Sequence, residues 1–319
     1  MTNTLKMSLD KTAFLLDRFS LDCGPLQYIR ELTQNSIEAI RKAGRERGII
    51  VWGFDPVEFE TNGIKKLCIT DNGCGMSDAD MLRYLNNLSS SGSTQSIDGN
   101  YGIGAKISAY ARNPAGVTYL SFQNNQGNLV QVWKDPISGE YGLRLISGHH
   151  VAPVPSEAIA SQPCIAEFGS GTHVVLHGMT DNEDTFSKSK DVPGRSAGQW
   201  VRRYLNTRYF RLPTNIEISC RTGGGGDEQF RYVTGQGPML DAVALDKGTV
   251  ALSGAIARWW ILPNSKTTDV LPKPIRLGTS HKDITAWSTL SPGYDTGCHV
   301  AAIYQTNFMT PLGATPREY

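Results

Sequence analysis

The first candidate for chemistry is a carboxylate and a carboxamide placed one helical turn apart, at Glu31 and Asn35. The apolar residues from about Leu26 to Ala43 follow a helical period, which predicts an amphipathic helix with both polar side chains on one face. In one pocket the carboxylate could orient and deprotonate a water molecule, and the amide oxygen could bind Mg²⁺. The same spacing is typical of a helix face in contact with solvent, so this motif alone decides nothing.

A glycine-containing turn follows the apolar strand predicted at Lys66–Thr70. It has the pattern DxGxGM and contains Asp71, Gly73, Gly75 and Met76. An aspartate at a strand end can accept a hydrogen bond from an exocyclic amine such as that of adenine. The glycines let the backbone approach a flat ring closely. An ordinary strand-to-helix turn has a similar composition, and the pattern alone leaves both interpretations open.

A second glycine cluster, with the spacing GxxGxG, runs from Gly99 to Gly104 and precedes residues spaced as in a helix. Backbone N–H groups at such a helix start form an anion site that suits phosphates. The spacing differs from the dinucleotide fingerprint and from a Walker loop. The serine-rich segment Ser89–Thr94 could form a lid over the nucleotide. For the GxxGxG spacing alone, a plain flexible loop is the alternative. Together, the three motifs indicate a nucleotide site.

The elements predicted around these motifs define the fold class. Consecutive strands joined by short turns, such as the connection Asp135–Gly139, favour antiparallel pairing, so we expect α+β rather than a doubly wound parallel sheet. The predicted helices are Leu26–Ala43, Ser77–Asn87 and Gln199–Arg208. The predicted strands are Ile49–Phe54, Lys66–Thr70, Val117–Phe122, Leu129–Trp133, Tyr141–Ile146, Thr172–His177, Ile216–Cys220, Thr249–Leu262 and Val300–Tyr304.

The composition is that of an ordinary globular protein, with 39% hydrophobic residues, 19% charged residues and a net charge of +1. Such a balance gives no global field toward nucleic acid or an anionic membrane. No apolar run approaches the roughly 20 residues that cross a bilayer, and the first residues lack the apolar core of a signal peptide. The six cysteines form no CxxC pair. We therefore expect reduced thiols in a cytoplasmic protein without membrane contact.

The three motifs together resemble those of the GHKL superfamily, whose members share the Bergerat ATP-binding fold. These members include the gyrase B subunit, the ATP-dependent heat-shock chaperones, MutL, MORC proteins and histidine kinases. YIRELTQNSIEAI resembles the family's N-box, ITDNGCGMSDADM its adenine-side box and GNYGIGAKISAY its phosphate-side box. The last two look closest to the heat-shock chaperones. Gly171-Thr172 with the following strand HVVLH resembles the last nucleotide box.

The resemblance implies a Bergerat-type α/β sandwich, in which a mixed, mostly antiparallel sheet is covered by helices. Residues 1–185 would form the ATP-binding domain, and residues 195–319 would form a second α+β domain similar in outline to the transducer domain of the chaperone, MutL and MORC branches. The polar, turn-rich stretch Thr180–Gly198 is the predicted boundary between them.

The resemblance also assigns the site residues, position by position. Glu31 would be the general base and Asn35 the Mg²⁺ ligand. Asp71 would read the adenine amino group, with Gly75 and Thr172 beside it. The remaining contacts to ATP would come from Gly73, Met76, Asn87 and Lys106 and, through the backbone, from Gly99, Tyr101, Gly102, Ile103 and Gly104.

The implied function is Mg²⁺-dependent ATP hydrolysis that closes a lid and drives homodimerisation, or the clamping of a protein client or DNA. Heat-shock chaperones carry a lysine where this chain has Ser89–Ser91. A transducer lysine for the γ-phosphate cannot be chosen among Lys247, Lys266, Lys273 and Lys282. An ATP-gated scaffold with negligible turnover is therefore an alternative. A histidine kinase is another, although that branch usually lacks a carboxylate at the position of Glu31.

Overall fold

The computed structural model describes most of the first two thirds of the chain and separate segments of the remainder. The described residues are 11–87, 103–189, 191–192, 197–209, 211–222, 229–244, 246–252, 255–263, 275–276, 284–290 and 299–305. In this part of the chain, no helix combines the length and the apolar character required to cross a bilayer.

Some of the helices start at a side-chain cap, and others start without one. The helices are α1 (Thr12–Ser20), α2 (Gln27–Lys42), α3 (Pro56–Asn62), α4 (Asp78–Leu85), α5 (Ile103–Tyr110), α6 (Pro163–Ala166), α7 (Gln199–Arg208) and α8 (Gln236–Val243), with a 3₁₀ helix at Ser156–Ser161. Ser77 and Asp80 form a capping box at the start of α4, which satisfies two backbone N–H groups there. The predicted helices at α2, α4 and α7 are confirmed to within two residues at each end.

Within the described residues, nine strands form the large sheet. They are β1 (Gly48–Phe54), β2 (Leu67–Asp71), β3 (Val117–Gln123), β4 (Gln126–Lys134), β5 (Tyr141–Leu143), β6 (Ala152–Val154), β7 (Gly171–Leu176), β8 (Ile216–Thr222) and β9 (Gln229–Tyr232). Their order is β5-β4-β3-β7-β2-β1-β8-β9, with β6 also paired to β4. β1 and β8 are parallel, whereas β1–β2, β2–β7, β7–β3, β3–β4, β4–β5 and β4–β6 are antiparallel. The predicted α+β class with a mixed, mostly antiparallel sheet is confirmed.

Helix α2 packs on this sheet through its apolar face. Ile29, Ile37 and Ile40 are fully buried, and each contributes about 2 kcal/mol by the removal of its side chain from water. The indole Nε1 of Trp52 on β1 donates a hydrogen bond to Thr33 Oγ1 at 3.1 Å. Because α2 is fixed on the sheet in this way, the polar residues of the same helix have defined positions beside the ends of the strands.

The predicted turn between β4 and β5 is confirmed. Asp135 accepts backbone hydrogen bonds from Ile137 and Ser138 through its carboxylate, at 3.0 and 3.3 Å. Gly139 has φ +73°, a conformation that glycine adopts without steric cost. The short side-chain cap and the glycine together reverse the chain within five residues.

The chain divides into two compact units. One holds the described residues through Val201 together with those in Asn215–Arg231, and the other holds the described residues of Arg202–Thr214 and from Tyr232 onward. The predicted strand Ile216–Cys220 falls within residues 195–319, which the sequence analysis gives to the second domain. The structure instead pairs this strand with β1 in the large sheet. Parallel strands need no tight turn between them, so the sequence near either strand does not show that β1 and β8 pair.

The described residues of the second unit include a five-stranded sheet. Its strands are β10 (Asp246–Leu252), β11 (Ala255–Pro263), β12 (Ile275–Arg276), β13 (Ile284–Leu290) and β14 (His299–Gln305), in the order β10-β11-β14-β13-β12. The prediction of one strand at Thr249–Leu262 is wrong, because β10 and β11 form an antiparallel hairpin. The dipeptide Ser253-Gly254 between them is a turn signal inside the apolar run.

Candidate active site

Glu31 is buried on α2, with 1% of its surface exposed. Gln27 Nε2 lies 3.5 Å from Oε1 of this carboxylate, and the guanidinium of Arg30 contacts the same oxygen. A Cβ on Gly104 at the start of α5 would lie 2.5 Å from Oε2 of Glu31. The structure therefore brings together two residues from separate predicted motifs. It also excludes the interpretation of Glu31 as part of a solvated helix face.

Asn35 lies one turn further along α2 and is exposed. The next residue, Ser36, is buried, and its hydroxyl donates a hydrogen bond to Asp71 Oδ2 at 2.8 Å. A single helix thus presents a buried carboxylate, an accessible amide and a hydroxyl that fixes the strand-end aspartate. The sequence analysis missed Ser36, although its position next to Asn35 on the helix was a usable signal.

Asp71 ends β2 and is 4% exposed. Its Oδ1 accepts a hydrogen bond from the backbone N–H of Gly73 at 2.9 Å, and its Oδ2 accepts the bond from Ser36. Burial raises the pKa of Asp71 to about 6, and hydrogen bonds from Gly73, Ser36 and the backbone of Thr172 oppose that rise. The carboxylate is therefore a hydrogen-bond acceptor held in a fixed orientation at the end of β2.

The raised pKa of Asp71 predicts a pH dependence of stability that the Asp71→Asn variant should lack. Above pH 6 the folded protein holds a buried charge, whereas between about pH 4 and pH 6 it binds a proton that the unfolded chain releases. Through this group, the free energy of unfolding therefore falls by about 3 kcal/mol as the pH rises through that window. Urea unfolding at several pH values should show wild type losing this stability relative to the variant. A constant difference between the two proteins would contradict the assignment.

The turn after Asp71 approaches its neighbours too closely for side chains. A Cβ on Gly73 would lie 2.6 Å from Cβ of Ala39, and a Cβ on Gly75 would overlap the carbonyl oxygen of Phe122. Gly75 also has φ +65°. Both glycines of DxGxGM are thus required by the packing of the turn against α2 and β3, independently of any ligand.

Thr172 lies directly opposite Asp71 in the register of β2 and β7. It is 8% exposed, and its hydroxyl lies 2.9 Å from Ser121 Oγ. Ser121 Oγ also accepts a hydrogen bond from the backbone N–H of Met76 at 2.9 Å. The structure therefore brings Asp71, Met76 and Thr172 together and adds Ser121. The signal for Ser121 was a serine between two apolar residues of a predicted strand.

Lys106 on α5 is buried, and its Nζ donates a hydrogen bond to the backbone carbonyl of Asn87. Burial lowers the pKa of Lys106 to about 8. Asn87 itself is exposed, and its side-chain amide donates to the carbonyl of Arg83 at 3.1 Å. The pairing places the amino group of Lys106 at the C-terminal side of α4.

The phosphate-side motif lies only partly in the described structure. Ile103 and Gly104 form the first turn of α5, as the sequence predicts. The predicted contacts at Gly99, Tyr101 and Gly102 lie outside the described residues. A helix that starts beside the Glu31 carboxylate has the backbone N–H groups that suit a phosphate.

Of the candidate transducer lysines, Lys247 lies 3.0 Å from the carboxylate of Asp241. Lys266, Lys273 and Lys282 are outside the described part.

Arg45 is a further residue that the sequence analysis missed. Its Nε donates to the carbonyl of Asn72 at 3.0 Å, and its guanidinium donates to Ser170 Oγ at 2.6 Å. Ser170 Oγ in turn donates to the carbonyl of Gly73 at 2.9 Å. These bonds tie the turn after β2 to the segment before β7 and so hold Asp71 and Thr172 side by side.

The fold and these contacts define a class of domain. A mixed, mostly antiparallel sheet packed with helices, one of which carries a buried glutamate beside a strand-end aspartate and its glycine turn, is the Bergerat type of ATP-binding architecture. Residues 27–141 match the family of histidine kinase-, DNA gyrase B-, and HSP90-like ATPases. This part of the chain is therefore similar to the GHKL ATPases. A comparison with curated proteins found none that matches the chain.

Proposed function

We propose that the protein binds ATP together with Mg²⁺ and hydrolyses it in the cleft between α2, the turn after β2 and the start of α5. The observation that carries this proposal is the placement of Glu31 and Asp71. Both carboxylates are buried on or beside one helix, and each faces a glycine-lined backbone segment. The match of residues 27–141 to a family of histidine kinase-, DNA gyrase B-, and HSP90-like ATPases supports the same function.

At the adenine end of the cleft, Asp71 acts as the acceptor for the exocyclic amine of the nucleobase. Its two oxygens already accept hydrogen bonds from Gly73, Ser36 and the backbone of Thr172, and the carboxylate, which has about four lone-pair sites, can accept a further bond from a ligand. The glycines at positions 73 and 75 keep the turn narrow, so that the backbone can contact the flat face of a base.

At the phosphate end, Glu31 orients the attacking water and accepts its proton. Because Gly104 has no side chain, the Glu31 carboxylate can lie against the N-terminus of α5. The backbone N–H groups there hold phosphate oxygens. Phosphoryl transfer to water depends mainly on positioning and on the neutralisation of charge. The guanidinium of Arg30 balances the charge of Glu31 before ATP is bound.

Asn35 fits the requirement for a Mg²⁺ ligand. Its amide oxygen is accessible one helical turn from Glu31, and Mg²⁺ in nucleotide sites takes few protein oxygens beside phosphates and water. When bound, the ion neutralises phosphate charge. Within the described residues there is no cluster of three or more His, Cys, Asp or Glu side chains that could hold a metal ion without the nucleotide.

The Asn35→Ala variant tests this assignment. We expect its affinity for ATP in the presence of Mg²⁺ to fall about tenfold, which corresponds to ~1.4 kcal/mol, and its affinity in the presence of EDTA to stay at the wild-type value. Calorimetric titration measures both. Gln34→Ala is the matched control, since Gln34 is the preceding residue on α2 and pairs with Glu38 instead. An Asn35→Ala variant that keeps the full effect of Mg²⁺ would exclude Asn35 as the ligand.

The proposal includes closure of the segment between α4 and α5 over bound ATP and the formation of a nucleotide-dependent homodimer. These properties rest on the resemblance to the chaperone, MutL and MORC branches. Sedimentation of the protein with and without a nonhydrolysable ATP analogue measures the dimerisation. An ATP-gated scaffold with negligible turnover is separated from an ATPase by the turnover of wild type and of a Glu31 variant.

A further inference from the structure

Ser121 links three segments around Asp71 while making no contact with solvent. It lies on β3 and is fully buried. Its Oγ accepts a hydrogen bond from the backbone N–H of Met76 at 2.9 Å. The same Oγ lies 3.1 Å from the carbonyl oxygen of Gly171 and 2.9 Å from the hydroxyl of Thr172. The turn after β2, strand β3 and the start of β7 therefore meet at one hydroxyl group.

The proton count at Ser121 restricts the orientation of the Thr172 hydroxyl. A serine hydroxyl has one hydrogen and two lone pairs, and the amide of Met76 occupies one lone pair. If Ser121 donates to Gly171, Thr172 donates to Ser121 and offers only lone pairs to a ligand. If Ser121 donates to Thr172, the hydrogen of Thr172 points elsewhere. In both arrangements, the bond to Ser121 restricts the orientations that the Thr172 hydroxyl can adopt.

We propose that Ser121 is a specificity-determining residue for the nucleobase, because it fixes the Thr172 hydroxyl and the Met76 amide beside Asp71. This inference rests on the proposed function. Adenine presents an amino donor where guanine presents a carbonyl acceptor. The carboxylate of Asp71 favours the amino donor of adenine. A Thr172 hydroxyl of fixed orientation adds a second polar contact that distinguishes the two bases at the same edge. A hydroxyl that rotates freely pairs with either base and so weakens the discrimination.

The geometry of the neighbouring turn supports a positioning role. Gly75 packs against the backbone of Phe122, the residue after Ser121. The bond from Met76 to Ser121 fixes the turn one residue further along. A buried hydrogen bond whose partner is lost leaves an unsatisfied amide, which is costly in a site closed to water. Ser121 thus positions both the Thr172 hydroxyl and the Met76 backbone on the adenine side of the cleft.

The test is the ratio of dissociation constants for nonhydrolysable ATP and GTP analogues, measured by calorimetry with Mg²⁺ for wild type and Ser121→Ala. We expect the preference for the adenine analogue to fall about tenfold in the variant. Ser121→Thr, which keeps the hydroxyl, should restore most of the preference. Thr118→Val is the matched control, because Thr118 on the same strand faces the other side of the sheet and bonds His177 at 2.9 Å.

The outcomes separate the inference from the function on which it rests. A wild-type protein that binds neither analogue rejects the proposed function itself. A wild type that binds, with a Ser121→Ala variant that keeps the wild-type ratio or loses affinity for both analogues equally, rejects only the role of Ser121. If the alanine variant does not fold in thermal denaturation, Ser121→Cys replaces it with the same two outcomes, since a thiol is a weak donor and acceptor.

Discussion

Replacing Glu31 with glutamine should lower the turnover number for ATP by about 100-fold or more, the range that a positioned general base contributes. Glutamine has nearly the same size, so it fills the space beside Gly104 that the buried carboxylate occupies. It cannot accept a proton from water at neutral pH. The dissociation constant for ATP should change by less than about threefold, because Glu31 makes its contribution after binding. Steady-state phosphate release and calorimetry measure the two quantities.

Glu38→Gln is the matched control for this experiment. Glu38 lies on the same helix, is half-buried and accepts a hydrogen bond from Gln34 at 3.2 Å. Burial raises the pKa of Glu38 above its ordinary value, and the proposed function assigns this residue no contact with ATP. Its variant should keep wild-type turnover. A Glu31→Gln protein as active as wild type would assign the base elsewhere, and a wild type without turnover would favour the ATP-gated scaffold.

Gly75→Ala is expected to destabilise the first unit by about 3 kcal/mol or more. The cause is a combination of two effects. An alanine at φ +65° is sterically strained, and its Cβ would overlap the backbone carbonyl of Phe122, which cannot rotate away as a side chain can. The turn must open, and the amide of Met76 then leaves Ser121. Urea unfolding followed by tryptophan fluorescence gives the loss, and the affinity for ATP should fall with it.

Gly63→Ala separates these two effects. Gly63 ends α3 with φ +71°, nearly the same backbone conformation, but a Cβ there would have no neighbour within 4 Å. This variant should lose only about 1 kcal/mol, the cost of the left-handed conformation alone. Equal losses in the two variants would show that the close packing of the turn on β3 contributes nothing to stability.

The local elements of the site could be predicted from the sequence because their signals are local. The period of apolar residues predicts α2, and the apolar run before Asp71 predicts β2. The cap of α3 was equally visible, since Asp55 and Pro56 start the helix and Gly63 ends it. That helix was missed because its seven residues show no extended periodicity.

The contacts that assemble the site could not be predicted in this way. Ser36 and Asp71 are 35 positions apart, and Met76 and Ser121 are 45 apart. Pairings of this kind depend on strand order and register, which local propensity does not determine. The same limit explains why β8 was not expected beside β1. The helical period of α2 placed Glu31 on the polar face but gave no sign that α5 would cover it.

Calorimetric titration of the folded wild-type protein with ATP and Mg²⁺, run in parallel with the Asp71→Asn variant, tests whether this chain has an ATP site at all. We expect saturable binding at one site per chain in wild type and an affinity at least about 100-fold lower in the variant, because the amide replaces an acceptor oxygen with a donor. A wild-type protein that unfolds cooperatively on heating but shows no uptake of ATP would exclude the proposed site.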